Sequence, residues 1–122
     1  MSINSVTISG NLTRDAEQRV TSSGTDVLKF SMAVNDRRKN AAGEWEDFPN
    51  YVDVTAFDGR ARFLADKVAK GTKVCVKGKL RWSQWEKDGQ RRSKLEVIAD
   101  DVEIMSKAEP QQELYADSDL PF

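Results

Sequence analysis

Thr72 to Val97 reads T-K-V-C-V-K-G-K-L-R-W-S-Q-W-E-K-D-G-Q-R-R-S-K-L-E-V. Successive strand residues face opposite sides, so Val74, Val76, Gly78, Leu80 and Trp82 share one face of a strand. Lys73, Cys75, Lys77, Lys79, Arg81, Ser83 and Trp85 share the other. One face is apolar, and the other is cationic and ends in an indole. Asp88-Gly89 is a hairpin turn signal, after which Arg91, Arg92 and Lys94 return positive charge along the partner strand. A basic ribbon that carries an aromatic ring suits a chain of unpaired bases, because phosphates need cations and exposed base faces need a flat partner. Lysine and arginine on a solvated face more often only keep a protein soluble, so the hairpin alone does not decide.

The flanking sequence supplies further strands. Asn4 to Leu12 alternates, with Val6, Ile8 and Leu12 on one side, and Gly10 interrupts it where a bulge or a close backbone approach is expected. Ser22-Ser23-Gly24 marks a turn. Val27 to Asp36 reads as a strand with Leu28, Phe30, Met32 and Val34 inward. Arg37 to Asn50 loses all periodicity and reads as a mobile loop with a basic entrance, carrying Trp45 and Phe48. Tyr51 to Phe57 is a strand whose core face is Val52, Val54 and Ala56, which leaves Tyr51 and Phe57 among polar neighbours. Asp58 is placed to cap a helix striped by Ala61, Leu64, Ala65 and Val68, closed by Lys70-Gly71. Leu95 to Met105 is the last strand, and the remainder has the composition of a disordered segment.

At 122 residues the chain has room for one core. No apolar run approaches the roughly 18 residues of a membrane span, and the first residues lack the pattern of a secretory signal, so a cytoplasmic protein without a membrane partner is expected. The chain has one cysteine, Cys75, and no histidine. This removes the commonest general base and His-built zinc sites, so no cofactor, no metal and no catalytic residue is expected. Through Lys107 there are 19 basic and 16 acidic side chains, a net +3, whereas 108–122 adds four acids and no base. A mildly basic body with an acidic tail points to an anionic partner for the body and a different one for the tail.

Three strands, a helix and two more strands give an all-β protein with one short helix, in the order of the OB-fold, a five-stranded Greek-key barrel whose open face binds oligonucleotides or oligosaccharides. The domain is expected over residues 1–105, with a flexible, disordered acidic C-terminal tail over 106–122. The ordered set I-S-G-N-L-T-R-D (Ile8 to Asp15), T-S-S-G-T (Thr21 to Thr25), F-S-M-A-V-N (Phe30 to Asn35), G-E-W (Gly43 to Trp45), K-G-T-K-V-C-V-K-G-K-L-R (Lys70 to Arg81), K-D-G-Q (Lys87 to Gln90) and terminal D-S-D-L-P-F (Asp117 to Phe122) resembles the bacterial single-stranded DNA-binding proteins.

The resemblance implies a nucleoid-associated homotetramer that binds single-stranded DNA without sequence preference in replication, recombination and repair. Tyr51, Phe57 and Trp85 match aromatic positions of that family, and Lys70 and Arg81 match basic ones. With Lys29, Arg37, Arg38, Trp45, Lys79, Arg91 and Arg92 they form the expected nucleic-acid-binding set. Arg38 stands where many relatives have tryptophan, and Asp53 where many have a basic residue. The tip formed by Asp117, Asp119, Leu120, Pro121 and Phe122 is the expected docking segment for DNA replication, recombination and repair proteins. Two rival readings are an OB module for RNA or for an assembly partner, and a metal-dependent nuclease using Asp100, Asp101 and Glu103. The nuclease reading is weak, because adjacent carboxylates on a strand face opposite sides.

Overall fold

The computed structural model describes residues 2–106; the expected tail from 107 on, with its acidic tip, lies outside the described residues, and Ser106, expected as the first residue of the tail, is the last residue of the final strand. The strands are β1 (Val6–Leu12), β2 (Glu17–Val20), β3 (Asp26–Lys39), β4 (Trp45–Phe57), β5 (Lys73–Lys87) and β6 (Gln90–Ser106), with helix α1 (Asp58–Leu64) between β4 and β5. They form one sheet in the order β1-β5-β6-β4-β3-β2, and pairing of β1 with β3 at Asn11↔Ala33 and Leu12↔Met32 closes it. The five strands other than β2 make the barrel, so the OB-type architecture stands. Beyond the five, β2 adds a short strand on β3, where Glu17–Val20 pairs with Asp26–Lys29. No apolar alternation announces it, because all four of its residues are exposed.

The barrel interior is filled by the inward residues of the alternating patterns. Leu28, Phe30 and Met32 of β3, Val54 and Ala56 of β4, and Val74 and Val76 of β5 are buried together with Val97 of β6. Each large side chain so removed from water contributes about 1.5 to 3 kcal/mol. Ala61, Leu64 and Val68 seal one end against this cluster.

Glycine permits two close crossings of the wall. A Cβ on Gly10 would collide with the carbonyl of Ala33, and one on Gly78 with the carbonyl of Ile98. Gly78 also sits at a register shift, where Lys77 faces Asp101 but Gly78 faces Ala99. The extra residue, Asp100, is a bulge that changes the inward set of β6 from Val97 and Ala99 to Val102 and Ile104.

Three local expectations are corrected. Arg37 to Asn50 is not a loop: β3 and β4 stay in register out to Lys39↔Trp45, and only 40–44 turns. Asn40 Oδ1 holds that turn by accepting from the N–H groups of Ala42 and Glu44, each at 2.9 Å. A two-stranded ribbon with water on both faces has no reason to alternate apolar and polar residues, so periodicity cannot reveal it.

Asp58 does not cap α1. Phe57 is the N-cap residue with no side-chain bond, and Asp58 takes a left-handed φ of 55° as the chain swings from β4 into the helix, a conformation that aspartate tolerates better than most residues. The helix itself stops at Leu64, and turns through Val68 and Gly71 complete the connection.

Leu80 and Trp82 continue the apolar face of Val74 and Val76 in sequence but not in burial. They are 43% and 59% exposed, because β5 and β6 run past the barrel as a second two-stranded arm. Asp88 (φ 54°) and Gly89 (φ 76°) make its turn, as the Asp-Gly pair predicts.

Candidate nucleic-acid interface

β4 and β6 run parallel where they meet, at Val54↔Val97 and Thr55↔Ile98. Their arms therefore leave the barrel at the same end, one turning at 40–44 and the other at Asp88-Gly89. Between and below the arms, the outward residues of β5, β6, β4 and β3 form a continuous face.

Directly opposed residues of antiparallel strands share a face, and this assigns each candidate. Lys29, Arg37, Trp45, Tyr51 and Phe57 lie together on the outer side of the β3–β4 pair. Lys79, Arg81, Trp85 and Arg92 lie on the corresponding side of the β5–β6 pair, with Trp85 directly across from Arg92. Bonds across the middle join the two pairs into one surface. Thr55 donates its hydroxyl to Glu96, and the Arg81 guanidinium carbon lies 5.9 Å from the centroid of the Phe57 ring. Trp45, Tyr51 and Trp85 are 60%, 71% and 42% exposed, so none of them serves the core. Trp45 borders a shallow hollow with Arg37.

Three candidates lie elsewhere. Arg38 is on the reverse face of its arm, with its guanidinium 5.1 Å from the Phe48 ring and 3.3 Å from Asp36. Arg91 pairs with Glu86 on the reverse face of the other arm. Lys70 sits past α1, where its backbone N–H donates to Asp15 at 2.8 Å; Asp15 borders the polar notch next to Asp53 and Ser31.

The face also carries groups outside the expected binding set, among them Asp53, whose partners the sequence does not show. Asp53 accepts from Ser31 Oγ at 2.5 Å and pairs with Lys94 Nζ at 3.1 Å. The Ser31 bond, helped by Lys94, holds the Asp53 carboxyl below the usual range against the opposing effect of partial burial. Lys94 was legible as an outward residue two positions from Arg92. Arg19, Val20 and Thr21 of the β2 region border a depression beside Phe57, and no periodicity in β2 signals it. Chemically, the face offers flat rings at intervals, cations around them and two carboxylates near its centre, each already engaged by a neighbour.

Residues 3–105 match the single-strand binding protein family. The chain belongs to that family. It is 42% identical over 106 residues to the single-stranded DNA-binding protein of Borreliella burgdorferi, covering 85% of this chain and 70% of that protein. It is 39% identical over 103 residues to that of Treponema pallidum, covering 84% of this chain and 58% of the relative. A crystal structure of a deletion mutant of the single-stranded DNA binding protein from Thermus aquaticus superposes with a TM-score of 0.76 at 30% identity, over 85% of this chain and 51% of that one. A Plasmodium falciparum SSB in complex with single-stranded DNA shares the fold, with a TM-score of 0.76 at 22% identity, over 87% of this chain and 97% of that one. Among the described residues, no helix is long and apolar enough to cross a membrane.

Proposed function

We propose that this chain binds single-stranded DNA without strong sequence preference and protects it during replication, recombination and repair. The observation that supports this most is the common face of Trp45, Tyr51, Phe57 and Trp85 with Lys29, Arg37, Lys79, Arg81 and Arg92. Stacking of a base on such a ring is worth about 1 to 3 kcal/mol and tolerates every base, because every base has a flat face. The cations supply the phosphate term, with an affinity slope of about −0.7 per neutralised phosphate on log salt. Arg38 and Arg91, on the reverse faces, fit a strand that bends around an arm rather than one that stays between the arms.

The same reading has four copies of the chain assembling as a homotetramer in the cytoplasm, associated with the nucleoid. The tip Asp117, Asp119, Leu120, Pro121 and Phe122 recruits DNA replication, recombination and repair proteins. An apolar Leu-Pro-Phe beside two acids suits an apolar pocket with a basic rim. The binding chemistry lies in stacking and charge rather than catalysis.

The deciding experiment is a titration of intrinsic tryptophan fluorescence with oligo(dT) at several salt concentrations, with solution mass measured in parallel. Saturable quenching that weakens with salt is the expected result. Failure to quench, or preference for oligo(rU) in competition, would replace the DNA reading with the RNA one or remove both.

A further inference from the structure

The depression beside Phe57 has a volume of about 440 Å³, with apolar walls from Val20, Val27, Ile98 and the Phe57 ring and the cations Arg19, Lys29 and Arg81 at its border. It is large enough for one nucleobase. Glu96 stands in its lining, directly across the β5–β6 ladder from Arg81. One carboxylate oxygen accepts from the buried hydroxyl of Thr55, which fixes the group in place. The other oxygen has no hydrogen-bond or ion-pair partner among the described residues. Arg81 does not take it; its guanidinium lies toward the Phe57 ring instead.

A fixed acceptor beside a stacking ring meets the edge of whatever base the ring holds. Cytosine presents an amino group there, and a carboxylate accepts from it well. Uracil presents a carbonyl oxygen in that place, and its one N–H is flanked by two carbonyls whose lone pairs repel a carboxylate. We infer that Glu96 is a specificity-determining residue that biases this pocket toward a base with an exocyclic amine, cytosine over uracil. The inference rests on the DNA-binding reading above and adds a preference at one pocket to an otherwise tolerant face.

The two pyrimidines stack through similar rings and neither carries a 5-methyl group, so comparing them isolates the edge. The test is competition between oligo(dC) and oligo(dU) of equal length on the full chain at neutral pH, for the parent and for Glu96→Gln. The amide keeps the shape and an acceptor for Thr55. The parent is expected to prefer oligo(dC) by about fivefold to tenfold, the lower part of what a good base-edge contact supplies. Glu96→Gln is expected to erase that preference, mainly by tightening oligo(dU).

Equal affinities in the parent would overturn the inference, even if the variant proved too unstable to measure. A variant that tightens both oligomers by the same factor would also overturn it, since Glu96 would then only repel phosphate. Failure of the parent to bind either oligomer would remove the functional reading and this one together, a result distinct from binding without preference.

Discussion

Asp53 lies between two partners, with Ser31 donating to one carboxylate oxygen at 2.5 Å and Lys94 3.1 Å from the other. It is a negative charge in the middle of the face proposed to hold phosphates, and it occupies a lysine that would otherwise face the ligand. Asp53→Asn removes the charge and frees Lys94. Affinity for oligo(dT) is expected to rise several-fold at low salt, and the salt slope to steepen by up to about 0.7. Titrations at three or more salt concentrations check both. An unchanged slope would place Lys94 off the path of the strand.

The same carboxyl sets a pH dependence. Its pKa in the folded chain lies below the ordinary value, so its contribution to stability is present above about pH 4 and is lost as pH falls through the lowered pKa. Folding stability should therefore owe no change to Asp53 between pH 5 and 8. Ser31→Ala removes the main cause and should move the Asp53 titration, followed by carboxyl NMR, back up toward the ordinary range.

The three tryptophans separate the faces. Trp85→Ala and Trp45→Phe should each lower affinity for oligo(dT), with the alanine change costing about 1 to 3 kcal/mol if one base stacks there. Trp82 lies on the reverse face of the same arm as Trp85. Trp82→Phe should leave the affinity for a short oligonucleotide within twofold while removing fluorescence that such a ligand does not quench.

Gly78→Ala should be costly although it adds one methyl, because the new Cβ meets the backbone carbonyl of Ile98 rather than a side chain that can swing away. A loss of about 1 to 3 kcal/mol is expected, seen as a lower denaturation midpoint. Gly89→Ala, at a turn with open space around it, should cost less and only through its φ of 76°.

Where one side of a strand is buried, the sequence was readable. Leu28, Phe30 and Met32, then Val54 and Ala56, alternate because each second residue enters the core, and alternation also put Tyr51 and Phe57 on the wet side. It failed where both sides are wet. The arm from Arg37 to Asn50 has no pattern to show, and Trp82 sits on an apolar parity that outlasts the barrel beneath it. It failed again at Asp100, where one inserted residue swaps the inward set of β6 without any mark in composition. Asp53 could be seen as a misfit on a cationic face, but not its settlement with Ser31 and Lys94, since strand pairing between distant segments decides which side chains meet.

Because β4 and β6 run the same way where they touch, both arms stand at one end of the barrel, with a surface between them that no element among the described residues covers. A ligand can be laid in from the side along its middle and need not be threaded from a terminus. A covalently closed single-stranded circle should accordingly be captured as fast, per nucleotide, as a linear strand of the same length.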